Sequence, residues 1–116
     1  MVGTIKVVNV KTFDESKVNG EVIGIVSPAI LGNPFEMSSE DDREISVRKF
    51  YHYLREEFKK KEEVYKELVR ISNVVKSGKD VYLVCCCSPM LCHGDVIRNA
   101  IMGMIEYEQR NWQIAS

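Results

Sequence analysis

The run Val81-Tyr82-Leu83-Val84-Cys85-Cys86-Cys87 is the most continuous apolar stretch in the chain and limits the fold more than any other feature. Together with Lys79-Asp80 before it, it reads as a strand covered on both faces and central in a sheet. Ser88-Pro89-Met90-Leu91 then makes a proline-bearing loop, and Gly94-Asp95 opens an apolar helical pattern through Val96, Ile97, Ala100, Ile101, Met104 and Ile105. Strand, loop and helix in this order belong to an α/β protein. In such folds the crevice beyond a strand's carboxyl end, beside the positive end of the next helix, receives anions and polar ligands.

The other segments agree with that class. Thr4–Val10 and Glu21–Val26 are rich in β-branched residues and bounded by glycine or polar turns, as strands are. Between them, Lys11–Gly20 has loop composition and ends on Asn19-Gly20. Two prolines and a glycine make Ser27–Phe35 an ordered loop. Ser38 and Asp41 resemble a capping box for a helix to about Lys59, with Ile45, Phe50, Leu54 and Phe58 facing inward. After the charge run Lys59–Glu63, the spacing of Val64, Leu68, Ile71 and Val75 predicts a second helix ending near Ser77-Gly78. The order β, β, α, α, β, α implies a small Rossmann-like α/β sandwich, its mostly parallel sheet flanked by helices.

A length of 116 residues suits a single domain, 1–116, with a core of useful size. A net charge of -1 argues against life on nucleic-acid phosphates, so no DNA partner is expected. The chain shows no signal-peptide pattern and no apolar stretch of membrane-spanning length, which points to a cytoplasmic protein. All four cysteines lie between Cys85 and Cys92, an arrangement unlike the dispersed cysteines of a disulfide scaffold.

Strand alternation puts Cys85 and Cys87 on one face and Cys86 on the other, as small packing residues would be. Cys92 precedes a helix N-terminus, where a thiolate is stabilised, and is the candidate nucleophile. His93 is the candidate acid/base group or loop anchor, and Asp95 the expected N-cap, able also to touch a ligand hydroxyl. Cys85, Cys87, Cys92 and His93 could ligate zinc, but their C-x-C-x4-C-H spacing is unlike paired zinc knuckles, so neither metal nor other cofactor is expected. Cys92 and Arg98 match the C-x5-R spacing of cysteine phosphatases, yet Val96 and Ile97 already follow the helix and only one glycine is there to curve a phosphate loop.

If the strands run parallel, Asn9 and Lys11, the loop from Ser27 to Phe35, and Pro89 to Asp95 emerge at one sheet edge. Within Gly32-Asn33-Pro34-Phe35, Gly32 allows close backbone approach, Asn33 offers a donor and an acceptor, and Phe35 either stacks on a planar base or plugs the core. Arg43 opposes the dipole in a first helical turn and therefore calls for a partner or an anionic ligand. The expected ligand-contacting set is Asn9, Lys11, Ser27, Gly32, Asn33, Pro34, Phe35, Arg43, Cys87, Pro89, Cys92, His93, Gly94 and Asp95.

Leu31-Gly32-Asn33-Pro34-Phe35, Arg43 with Phe50-Tyr51, and Cys85-x-Cys87-x-Pro89-x-x-Cys92-His93-Gly94-Asp95 together resemble the family known as domain of unknown function 4326, widespread in bacteriophage and bacterial genomes. The resemblance spans about Val7 to Ile105 and supplies no activity. Family members often carry arginine after the glycine that ends the second strand; here Ile25 follows Gly24, which would shift any anion contact to Lys11 or Arg43. The reading of the whole is a protein that binds a nucleotide or nucleotide-derived small molecule at the sheet edge, with a phage-encoded role in sequestering or processing a nucleotide signal in the host cytoplasm as the expectation that goes with the resemblance. The alternatives are a hydrolase or transferase using Cys92, His93 and Asp95 on a phosphorylated or glycosidic substrate, and a protein-binding module using the C-terminal helix and Trp112. That helix is also the expected route to a homo-oligomer.

Overall fold

The computed structural model describes residues 2–26, 29–35, 42–86 and 92–115, with side chains through 108. Three strands, β1 (Ile5–Asn9), β2 (Glu21–Gly24) and β3 (Val81–Cys85), and three helices, α1 (Arg43–Lys60), α2 (Glu63–Lys76) and α3 (His93–Ala115), follow in the expected order. Each strand is a residue or more shorter than its apolar pattern, because pairing with a neighbour, not composition, sets where a strand stops. β3 lies in the middle and pairs in parallel with both β1 and β2. The fold is a small α/β unit with an all-parallel sheet.

The register sets Ile5 and Ile23 beside Val81 and Leu83 on one face. That face builds the core, in which Val81, Leu83 and Cys85 are fully buried. The helices contact one another, and α2 and α3 pack on it. The opposite face of β3 is half-covered by a loop rather than a helix: Phe13, before the 3-10 turn Glu15–Lys17, lies 5.3 Å from the Tyr82 ring. The connection from β1 to β2 thus passes over the Tyr82 side, and the return from β2 to β3 passes over the core side. Reversing both direction and face keeps the hand of the crossover the same.

α2 follows its periodicity closely. Val64, Leu68, Ile71 and Val75 are all buried, each stabilising the fold by roughly 1.5–3 kcal/mol relative to exposure. Its C-terminus is turned by Gly78 at φ 100, the left-handed region that glycine enters at little cost. The charge run before α2 is a break between helices. Lys61 there takes φ 57, and its ammonium sits 4.3 Å from the Phe58 ring and 4.2 Å from the Tyr65 ring. The two rings hold a non-glycine residue in a conformation that sterics disfavour.

α1 departs from expectation at its first turn. Phe50 and Leu54 are buried and Phe58 packs at the core margin, but Ile45 is 51 % exposed. Ser46 takes the inward position, four residues before Phe50 and eight before Leu54. The Ser38 and Asp41 capping box lies outside the described residues; Asp42 stands at the N-cap and its side chain makes no capping hydrogen bond to the first turn. α3 starts at His93, two residues before the expected Asp95, and buries Ile97, Ile101 and Ile105.

Candidate functional site at the carboxyl edge of the sheet

The parallel sheet sends Asn9, Ile25 and Cys86 out of the same edge, where the start of α3 meets the loop after β2. The joint between them is His93. Its Nε2 lies 2.7 Å from the Ile25 carbonyl oxygen, and a carbonyl only accepts, so Nε2 carries the hydrogen. Nδ1 faces Cys92 Sγ at 3.6 Å, and the Phe50 ring meets the imidazole edge-on with centroids 5.0 Å apart. Burial pushes the imidazole pKa down from its ordinary value, opposed by the carbonyls of Ile25 and Leu31 and by Asp95. His93 is therefore the neutral pin between α3 and the loop.

Cys92, not Asp95, takes the capping position. The Gly94 N–H donates to Cys92 Sγ at 3.4 Å, and the Cys92 N–H donates to Asp95 Oδ2 at 3.1 Å. This is a capping box with sulfur in place of the usual hydroxyl: Cys92 is the N-cap and Asp95 is the N3 partner. Asp95 as the N-cap is thus corrected, because the helix begins two residues earlier than its apolar pattern suggests. Cys92 is 1 % exposed and His93 8 %. Gly94 is needed for contact, since a Cβ there would stand 2.8 Å from Val7 Cγ1 and 2.9 Å from Ile25 Cδ1.

On the other wall, Asn33 folds the loop. Its Oδ1 accepts from the Phe35 N–H at 2.9 Å, and its Nδ2 donates to Ser46 Oγ at 2.9 Å. Ser46 Oγ in turn donates to the Phe35 carbonyl at 2.8 Å, tying the loop to α1. Gly32 is buried and its N–H donates to the Ala29 carbonyl at 2.8 Å, while Pro34 is exposed. Phe35 packs edge-on against Tyr53, centroids 5.9 Å apart, and still borders a pocket of about 290 Å³ with Asp42, Ile45, Ser46 and Lys49.

Asn9 Oδ1 accepts from the Lys11 N–H at 2.9 Å, making a turn that leaves Lys11 exposed. Arg43 opens α1, half-buried. Ile25 is wholly buried, so the position after Gly24, where the resemblance implied an arginine, is here part of the core. Arg98 donates through Nε to the Ile5 carbonyl at 2.9 Å, away from Cys92, which removes the phosphatase arrangement. Ser27, Cys87 and Pro89 lie outside the described residues. Sequence reasoning missed Ser46, Asp42 and Lys49; of these only Ser46 left a signal, a hydroxyl on an otherwise apolar stripe.

The fold and this edge define a small α/β protein with a parallel three-stranded sheet and a recess of about 290 Å³ at the start of α1. The chain belongs to the family described as Domain of unknown function (DUF4326), whose model matches residues 8–103. No curated protein and no solved structure matches it. Among the described residues no helix is long and apolar enough to cross a membrane.

Proposed function

We propose that the protein binds a nucleotide or nucleotide-derived small molecule beside the carboxyl edge of the sheet. The observation that supports this most is the recess bordered by Phe35, Asp42, Ile45, Ser46 and Lys49. Phe35 and Ile45 offer apolar surface to a planar base, Lys49 an ammonium to a phosphate, and Asp42 an acceptor to a sugar hydroxyl. At about 290 Å³ it sits near the lower end of small-molecule sites and suits a mononucleotide-sized ligand. A phage-encoded chain of this kind would act by sequestering a host nucleotide signal, a role that needs no catalytic base.

The contact of 3.6 Å between Cys92 Sγ and His93 Nδ1 favours a second reading, a thiol or imidazole enzyme on a phosphorylated or glycosidic substrate. Against it stand the burial of both side chains and their use in capping and pinning α3. One experiment separates the two. The protein is incubated with mononucleotides and cyclic nucleotides, denatured, and its bound material analysed. Intact ligand released from wild type and lost in Lys49→Glu supports the binder. Conversion that Cys92→Ser abolishes supports the enzyme, and no retention of any nucleotide sinks both.

A further inference from the structure

A second hollow opens where α1, α2 and α3 meet, a groove of about 580 Å³. Among the described residues it shares no lining side chain with the recess at the start of α1. Its size falls inside the range of about 300–1,000 Å³ that small-molecule sites occupy. Leu54 and Leu68, both core residues, line it together with Phe58, Val96 and Ala100. Its polar groups are Tyr51, Arg55, Lys59 and Asn99, and among the described residues no carboxylate lines it. In a chain with 17 acidic residues, that composition gives the groove a single sign of charge.

That charge rests on Arg55. Lys59 pairs with Glu56 at 3.4 Å and Lys60 with Glu57 at 2.6 Å, so the two carboxylates that follow Arg55 in sequence are held by other cations. One helical turn from Arg55 in either direction stand Tyr51, His52, Phe58 and Lys59, none of them acidic. The guanidinium instead lies 5.7 Å from the centroid of the Tyr51 ring, and among the described residues it makes no ion pair. Stacking occupies a face of the guanidinium plane and leaves the N–H donors around its rim for a forked anion. We propose that the groove takes a small apolar carboxylate of fatty-acid type. Its hydrocarbon lies on Leu54, Leu68, Val96 and Ala100, and its carboxylate is gripped by Arg55 with the Asn99 amide beside it. An uncharged apolar molecule would leave Arg55 unanswered, and an ammonium would meet two cations with no acid in the groove to receive it.

Decanoate, decanol and decylamine share one tail and differ in the head, so calorimetric titration of the full chain with each, below the concentration at which they self-associate, tests the assignment. Decanoate binds at least about tenfold more tightly than decanol, and decylamine most weakly. Arg55→Gln brings decanoate down to the level of decanol and keeps the melting temperature, because the side chain is exposed. Ala100→Phe fills the groove from α3 and excludes both, with circular dichroism confirming the fold. Lys49→Glu, at the separate recess, leaves decanoate binding unchanged, so failure of the nucleotide reading and failure of this one are told apart. The proposal is overturned if decanoate does not bind or binds no better than decanol. It is overturned equally if the preference survives Arg55→Gln, or if decanoate binds folded Ala100→Phe as it binds wild type.

Discussion

The two walls of the carboxyl edge use their polar atoms differently. At the start of α3, the Cys92 sulfur, the His93 ring and the Asp95 carboxylate each hold another part of the same protein, and the first two are buried. Across from it, Asn33 and Ser46 are likewise engaged in folding the loop, but Lys49 and the edge of Phe35 border open space. Residues with the most reactive chemistry are therefore the framework, and less conspicuous ones form the recess. Chemical character alone does not mark a site; what the group is already bonded to does.

That contrast can be broken in graded steps. Phe50→Ala removes a fully buried ring that touches both His93 and Tyr53, joining the two walls. Chemical denaturation should show a loss of about 3–5 kcal/mol. Gly94→Val crowds Val7 and Ile25 where α3 meets the sheet, and should cost about 1–3 kcal/mol in the same assay. Ser46→Ala deletes the hydroxyl that links Asn33 to the Phe35 carbonyl, with an expected loss of about 1–2 kcal/mol and weaker ligand retention. Lys49→Gln lies at the small end for stability, within about 0.5 kcal/mol of wild type, while nucleotide retention falls. If it alters stability but not retention, the open wall is framework too.

Acid should act on the closed wall first. The imidazole of His93 binds its proton less readily folded than unfolded, chiefly because burial disfavours the charged form. Below the ordinary pKa of 6.5 the unfolded chain takes up the proton first, so stability present above that pH is lost as the pH falls from it toward the lower folded value. Melting temperatures of wild type should drop across that window more than those of His93→Gln. Equal slopes for the two proteins would mean that His93 is not the group responsible.

Much of the fold was legible because it depends on local pattern. The four, three, four spacing of α2 needs only its own side chains, and the unbroken apolar run of β3 signals its central position. The site was less legible because its bonds join distant segments. Ser46 is inward only because Asn33 and Phe35, on a separate loop, present a donor and a carbonyl to it, and Ile45 beside it is turned out as a result. Cys92 was readable as a residue at a helix start, but a sulfur cap is unusual enough that Asp95 looked the better cap. Its true place as the third helical residue follows from a start at His93, set by the pin to Ile25.

The strand order β1-β3-β2 has a consequence for synthesis. The pairs Ile5 with Val81 and Glu21 with Val81 join residues 76 and 60 positions apart, and the two outer strands share no ladder of their own. No part of this sheet can assemble on the ribosome until β3 has emerged and slipped between two waiting strands. Until then β1 and β2 expose unpaired backbone, which makes the nascent chain slow to close and open to aggregation. Among the described residues, the α1 and α2 pair, complete before β3 is made, is the packed element available to shield them in that interval.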